Sequence, residues 1–157
     1  MQNRMGWNFL IAGVFIFIAA SSSSTLASPE YLKENSVRDG VVVLPSGLQY
    51  EIMVEGKGAK PGPRDVVTTH YHGTLTDGSV FDSSVERRAP ASFPLDRVIA
   101  GWTEGLQLMS VGSKWRFFIP SNLAYGDRRI PGIPPNSTLI FEVELLDIEE
   151  EALRRLL

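Results

Sequence analysis

Cysteine is absent from the 157 residues of the chain. This absence excludes a disulfide framework and any metal or redox site that needs a thiolate. An excess of positive charge is also absent, because 15 Lys and Arg stand against 18 Asp and Glu, a net charge of −3. A nucleic-acid surface needs clustered Lys and Arg, so this balance argues against nucleic acid as a partner. The sequence also has no G-x-S-x-G elbow, phosphate-binding loop or dinucleotide fingerprint, which argues against the common hydrolase and nucleotide chemistries.

Long apolar runs are limited to one, close to the N-terminus. Residues 10–20 are an unbroken run of ten apolar residues and one Gly, whereas a membrane-spanning helix needs about 20. Arg4 precedes the run, four serines follow it, and Ala27 ends a small-residue motif, which is the order of a cleavable secretory signal. We therefore predict a signal peptide over residues 1–27, with an uncleaved N-terminal anchor as the alternative. Its removal would leave 130 residues in the periplasm or outside the cell.

The two ends of the remaining chain differ from its middle. Ser28 and Pro29 are suited to the start of a short helix, and Gly40 is suited to follow its end. One short polar helix cannot form a core, so residues 28–44 are interpreted as an N-terminal extension or linker. Residues 149–157 are interpreted as a C-terminal tail, frayed or helical.

Between these ends, the apolar pattern indicates strands. Residues 66–75 are rich in β-branched and aromatic residues and end at Asp77-Gly78, a strong hairpin turn. Further strands are predicted over residues 48–54, 114–119 and 139–145. Alternation of apolar and polar residues predicts sheets with one wet face, which are typically antiparallel. Residues 98–109 instead show helical spacing. The fold class is therefore α+β: a strongly curved antiparallel β-sheet wrapped around one short α-helix.

Two histidines offer the only side chains that suggest a metal. His70 and His72 share one face of the strand predicted over residues 66–75. A metal site needs at least one more ligand, and the sequence has no Cys and no third His. We interpret the pair as solvent-side histidines and predict no metal.

Aromatic residues concentrate where predicted elements meet. Tyr71 lies on the inner face of its strand, Phe81 follows the Asp77-Gly78 turn, and Trp102 lies in the predicted helix. Such residues can simply form the core of a small domain. Alternatively, an aromatic pocket with few polar groups is suited to a small apolar ligand.

Four motifs in order carry a resemblance to a known family. They occupy residues 66–84, 93–106, 124–127 (A-Y-G-D) and 133–148 (beginning I-P-P-N-S-T). The chain resembles the FKBP-type peptidyl-prolyl cis-trans isomerases over about residues 45–148, the predicted isomerase domain. Residues 36–50 are similar to the secreted bacterial subgroup related to macrophage infectivity potentiators.

The resemblance implies the functional residues by position. Trp102 would form the floor of a proline pocket, while the Ile99 N–H and the Tyr125 hydroxyl would bond carbonyls of the bound chain. The loop at residues 127–133 departs from the family pattern, because Arg128 and Arg129 stand where Gly is frequent. The implied catalytic residues are Tyr71, Asp82 and Tyr125, and the implied substrate-binding residues are Phe81, Phe93, Val98, Ile99, Trp102 and Phe141.

The function implied is acceleration of rotation about Xaa–Pro bonds in exported proteins during folding. The partners are then proline-containing unfolded or partly folded polypeptides, with macrolides as candidate inhibitors. No cofactor and no stable membrane insertion after signal removal are expected. A monomer is expected because only 17 residues stand where the subgroup often has a long dimerising helix. The alternative is a binding module or holdase chaperone on the same scaffold without turnover.

Overall fold

The computed structural model describes residues 28–151 and residue 156. The predicted signal peptide and most of the predicted tail therefore lie outside the described residues. Two α-helices and seven strands make up the described fold: α1 (Ser28–Asn35), β1 (Val41–Val43), β2 (Gln49–Val54), β3 (Val66–Leu75), β4 (Val80–Ser83), β5 (Ala91–Pro94), α2 (Ala100–Leu106), β6 (Lys114–Ile119) and β7 (Leu139–Glu149). Short 3-10 helices occupy Leu95–Arg97 and Ser121–Leu123.

All seven strands belong to one antiparallel sheet. Six of them follow the order β1-β2-β6-β7-β3-β4. One edge of β3 pairs with β5 along its first half and with β4 along its second half. Its other edge pairs with β7 over its whole length, with one irregularity after Thr68. The predicted α+β class with an antiparallel sheet is confirmed.

The inner face of the sheet forms the core with α2. Along β3, Val67, Thr69 and Tyr71 are buried while the residues between them are partly exposed, as the alternation predicts. The helix approaches the sheet closely because two of its residues are glycines. A Cβ at Gly101 would lie 2.5 Å from Ile119 Cγ2, and one at Gly105 would lie 2.6 Å from Phe117 Cε1. Side chains at these positions would push α2 away from the sheet.

The helix is shorter than the predicted 98–109. Ile99 precedes α2 with extended backbone (φ −60°, ψ 148°), and Gln107 follows its last residue. Residues 107–109 are held by turn-type hydrogen bonds, including Met109 N–H to Leu106 O at 3.1 Å. Val98 and Ile99 therefore lie in an extended segment directly before α2 and not within the helix.

The segment predicted as an extension, residues 28–44, packs against the domain. Its strand β1 pairs with β2, with Val42 opposite Tyr50. Buried Asn35 at the end of α1 donates to Gln49 Oε1 at 2.8 Å, and Ser28 Oγ accepts from Thr138 N–H at 3.0 Å. The sheet therefore begins before residue 45. Within residues 28–151, no helix has the length and apolar character needed to cross a membrane.

Candidate active site

A cleft of about 680 Å³ lies between the start of α2 and the inner face of the sheet. Its volume is in the range typical of small-molecule and short-peptide sites, about 300–1,000 Å³. The cleft brings together all nine site residues expected from the sequence, which are Tyr71, Phe81, Asp82, Phe93, Val98, Ile99, Trp102, Tyr125 and Phe141. They come from β3, β4, β5, α2 and its approach, the loop after β6, and β7.

The floor of the cleft is built around the indole of Trp102. Three rings meet it nearly edge-on: Tyr71 at 5.4 Å and 85°, Phe93 at 5.6 Å and 87°, and Phe141 at 5.3 Å and 79°. Edge-to-face packing at these distances is favourable because the positive ring edge meets the negative ring face. Trp102 is only 4% exposed. The cluster is therefore a rigid apolar surface. Tyr71, Trp102 and Phe141 belong to the buried core and also line the cleft, so the two interpretations of the aromatic residues both apply.

Gly73 makes room for two of these aromatics. A Cβ at this position would lie 2.7 Å from Phe81 Cζ and 2.9 Å from Phe141 Cε1. Because a side chain is absent here, the two rings pack edge to face at 5.3 Å and 86° directly over β3. The glycine in the middle of this strand thus shapes one wall of the cleft.

A polar network of three side chains closes one side of the cleft. The Tyr71 hydroxyl donates to Asp82 Oδ2 at 2.5 Å. Arg87 donates through Nη2 to the Tyr71 hydroxyl at 2.9 Å and through Nη1 to Asp82 Oδ1. The guanidinium also lies 5.6 Å from the centre of the Tyr71 ring. The Asp82 carboxylate is therefore bonded on both of its oxygens.

This network changes the proton affinity of its members. Burial alone would raise the pKa of Asp82, but the hydrogen bonds from Tyr71 and Arg87 and the charge of Arg87 together hold that pKa below its ordinary value. Burial, followed by the bond to Asp82, raises the pKa of Tyr71 above its ordinary value. At neutral pH the cleft therefore holds a charged carboxylate and a neutral phenol.

Several hydrogen-bonding groups at the cleft have no partner within residues 28–151, among them the buried Nε1 of Trp102. The Tyr125 hydroxyl forms no hydrogen bond there, and neither does the Ile99 backbone N–H, although the Ile99 carbonyl accepts from Trp102 N–H at 2.9 Å. An N–H immediately before a helix is one that the helix itself cannot satisfy. Both groups are free to bond a ligand.

The two histidines on β3 bond to serines on the outer face of the sheet. His70 Nδ1 lies 3.1 Å from Ser84 Oγ, and His72 Nδ1 lies 2.9 Å from Ser83 Oγ. Within the described part of the chain, no group of three or more His, Asp or Glu side chains is arranged to hold a metal ion. The His72–Ser83 bond therefore connects β3 to β4, and the His70–Ser84 bond connects β3 to the residue that follows β4.

Sequence reasoning missed several residues that line the cleft or bond to its lining residues. Arg87 lies in a loop with no periodic pattern, and only its place five residues after Asp82 could have drawn attention to it. Ile130 and Pro131 carry no signal beyond being apolar at a Pro-Gly turn, whereas Ala124 and Ile133 lie in matched motifs but were not singled out as site residues. Ile130 and Ile133 bridge each other by an N–H···O bond of 2.9 Å, which closes the rim loop. Arg97, Ala100 and Arg128 are the other lining residues that sequence reasoning missed.

Solved structures share this fold. The crystal structure of FkpA from Escherichia coli superposes with a TM-score of 0.76 and 48% identity, covering 78% of this chain and 58% of that one. A peptidyl-prolyl cis-trans isomerase structure from Pseudomonas syringae superposes with a TM-score of 0.74 and 38% identity, covering 79% of this chain and 92% of that one.

The family follows from the sequence comparison. The model of the FKBP-type peptidyl-prolyl cis-trans isomerase family matches residues 57–146, and the model of the domain amino terminal to such isomerases matches residues 19–52. The chain belongs to the FKBP-type peptidyl-prolyl cis-trans isomerase family, which confirms the resemblance found in the sequence.

Curated relatives are similar over the same region. FkpA of Aeromonas hydrophila is 58% identical over 123 residues, which are 78% of this chain and 46% of the relative. The outer membrane protein MIP of Legionella longbeachae is 53% identical over 123 residues, 78% of this chain and 53% of the relative. The chain thus spans about half the length of these relatives.

Proposed function

We propose that this chain is a peptidyl-prolyl cis-trans isomerase that accelerates rotation about Xaa–Pro bonds in exported proteins during folding. The observation that carries the proposal is the aromatic floor around Trp102, beside which two hydrogen-bonding groups are unoccupied. Family membership supports the same activity. The name of one relative, outer membrane protein MIP, supports an exported protein of the periplasm or the cell exterior.

The reaction suits a site without a nucleophile. Rotation about an Xaa–Pro bond faces a barrier of about 18–20 kcal/mol, because the planar amide loses its resonance in the twisted state. No covalent bond is made or broken and no proton has to move. The twisted amide has less charge separation than the planar one, so an apolar cleft favours it relative to water. Each ~1.4 kcal/mol of this preference increases the rate about tenfold.

Substrate binding would place the proline ring on the indole of Trp102. The Ile99 N–H and the Tyr125 hydroxyl would each donate to a carbonyl of the substrate backbone. These two bonds fix the chain on either side of the proline, so that rotation is confined to one amide. The favourable free energy of substrate binding comes from apolar surface removed from water, about 25 cal/mol per Å².

Asp82 would act on the twisted amide through its position. Its carboxylate lines the cleft and is held by Tyr71 and Arg87. A fixed negative charge of this kind favours the orientation in which the positively polarised part of the amide faces the carboxylate. Tyr71 contributes both a ring to the apolar wall and the hydroxyl that orients Asp82. We assign Tyr71, Asp82 and Tyr125 as the catalytic group on this basis.

Partners follow from the same cleft. It accepts an apolar five-membered ring and flanking backbone, so the substrates are proline-containing unfolded or partly folded polypeptides. Macrolides that imitate such a ring and carbonyl pair are the corresponding inhibitors. We further propose that the domain acts as a monomer.

The test is turnover of a short Leu-Pro peptide, followed by NMR exchange spectroscopy with catalytic amounts of protein. We expect acceleration over background and inhibition by a macrolide. Trp102→Leu should reduce kcat/KM by about three- to tenfold. Trp115→Leu is the matched control, because Trp115 is equally buried, at 3% exposed, but lies outside the cleft. An absence of acceleration, with aggregation of unfolded protein still suppressed, would overturn the isomerase and leave a holdase.

A further inference from the structure

The mouth of the cleft carries a local charge opposite to that of the chain. Three charged side chains line the cleft: Asp82, Arg97 and Arg128. Arg87, which bonds both Tyr71 and Asp82, forms an ion pair with the single carboxylate, so this pair adds no net charge at the mouth. The two remaining arginines leave the mouth cationic, although the chain as a whole has a net charge of −3.

Neither of these arginines is neutralised by a neighbour. The ion pairs found within residues 28–151 involve neither Arg97 nor Arg128. Asp96 and Asp127 precede them in sequence, but neither carboxylate lines the cleft. Both arginines are exposed, so their charges face solvent and any ligand that enters.

The two side chains reach the cleft from different segments. Arg97 ends the 3-10 helix directly before Val98 and Ile99. Arg128 donates through Nε to the Tyr125 carbonyl at 3.2 Å, and its guanidinium lies 5.8 Å from the centre of the Tyr125 ring. The Arg128 charge thus lies beside the Tyr125 ring, and Arg97 lines the same cleft two residues before Ile99.

We infer that the cleft prefers Xaa–Pro substrates that carry a carboxylate side chain within about two residues of the proline. This inference rests on the proposed isomerase function. An extended chain advances about 3.3–3.6 Å per residue, so such a carboxylate lies within reach of a guanidinium at the rim. Arg binds carboxylates in a two-pronged geometry that Lys does not offer. Exposed pairs of opposite charge correspond to at most about fivefold each, and salt weakens them.

The experiment compares peptides that differ only at the residue next to proline. The set is N-acetylated and C-amidated, with Glu, Gln or Lys before proline and a parallel set with these residues after it. NMR exchange gives kcat/KM, and NMR titration gives Kd. We expect the Glu peptide to exceed the Gln peptide by about three- to tenfold at low salt in at least one set, and the Lys peptide to fall below it. The ratio should decline toward one at about 0.5 M salt.

Variants assign the preference to the two arginines. Arg97→Gln and Arg128→Gln should each lower the Glu-to-Gln ratio, and the double variant should bring it close to one. Arg129→Gln is the matched control, because Arg129 is exposed and adjacent to Arg128 but does not line the cleft. It should leave the ratio unchanged.

The outcomes separate this inference from the proposed function. Turnover with equal values for Glu and Gln peptides at low salt would overturn the preference and keep the isomerase. A loss of the ratio in Arg129→Gln as large as in Arg128→Gln would also overturn it, because overall charge would then be the cause. If no peptide turns over, the isomerase is overturned, and the Kd ratio of Glu to Gln peptides still decides the preference.

Discussion

Arg87 Nη2 donates a hydrogen bond of 2.9 Å to the hydroxyl of Tyr71, while its guanidinium carbon lies 5.6 Å from the centre of the same ring. The other arm of the guanidinium bonds Asp82. A loop residue outside the sheet therefore connects side chains from two neighbouring strands. The position of the Asp82 carboxylate in the cleft depends on this connection.

Removal of Arg87 should impair the site without unfolding the domain. Arg87→Gln loses two charge-assisted bonds, and the side chain is about half exposed, so we expect kcat/KM to fall by about three- to tenfold. As a positioning residue, Arg87 should also affect the proton affinity of its partner, so the pKa of Asp82 should rise in the variant. The measurements are NMR exchange on a Leu-Pro peptide and a carboxyl-carbon titration. Arg87→Lys should restore activity only in part, because Lys lacks the two-armed geometry. Unchanged activity together with an unchanged Asp82 pKa would contradict this role.

The Asp82 carboxylate should make stability depend on pH in the acid range. The folded state holds the pKa of Asp82 below its ordinary value of about 3.9. Its contribution to stability is therefore complete above about pH 4 and is lost as the pH falls through the lower, folded pKa. We expect the difference in free energy of unfolding between the wild type and Asp82→Asn to be constant from about pH 7 to pH 5 and to shrink below about pH 4. Denaturant unfolding at each pH measures it. A difference that already declines between pH 7 and pH 5 would mean that the carboxylate is not held ionised.

Tyr125→Phe should lower activity and leave the fold intact. The hydroxyl has no partner within residues 28–151, so its removal leaves no protein group unpaired. A lost bond to substrate should reduce kcat/KM by about two- to tenfold. Circular dichroism and Tm should match the wild type. Tyr50→Phe is the control, because this tyrosine stacks on Trp115 at 4.7 Å outside the cleft and should leave activity unchanged. Loss of folding in Tyr125→Phe would contradict the assignment.

Strands with a long alternating pattern could be predicted from the sequence, and short ones could not. The bounds of β3 were predicted correctly, because its ten residues alternate and end at Asp77-Gly78. The three missed strands, β1, β4 and β5, have three or four residues each, too few to show a period. Two of them, β4 and β5, exist as strands because β3 offers them an edge. Such pairing is a property of the assembled sheet and not of the local sequence.

The candidate site was predicted through resemblance more than through physical pattern. Composition and spacing placed the aromatics at the junctions of elements but left open whether they were core or pocket. The motif match supplied the nine positions that meet in one cleft. Arg87 escaped both approaches, because its contacts with Tyr71 and Asp82 cross strands and no local period marks it. In the sequence, Arg128 was noted only as a departure from the family pattern. The structure shows that Arg128 lines the cleft together with Arg97, which makes its charge relevant to ligand binding.

The close contact between α2 and the sheet gives a prediction about stability. In Gly105→Ala, better helix propensity would stabilise the helix by about 1 kcal/mol. The new Cβ would, however, lie 2.6 Å from Phe117 Cε1, in a ring that is fully buried. Overpacking of this kind costs about 1–3 kcal/mol. We therefore expect a net loss of stability, measured as a lower Tm and a lower denaturant midpoint. Activity should fall too, because Trp102 lies one turn earlier on α2 and would move with the helix.

A double-mutant cycle tests whether the Phe117 ring is the cause of that loss. In a Phe117→Leu background the smaller side chain leaves space for the Cβ, although Phe117→Leu itself destabilises the core. The cost of Gly105→Ala should therefore shrink or reverse in that background, since two residues in contact do not act additively. Denaturant unfolding of all four proteins gives the coupling. An equal cost in both backgrounds would show that the glycine is not needed for the approach of α2 to Phe117. The position of Trp102 in the cleft would then have to depend on other contacts.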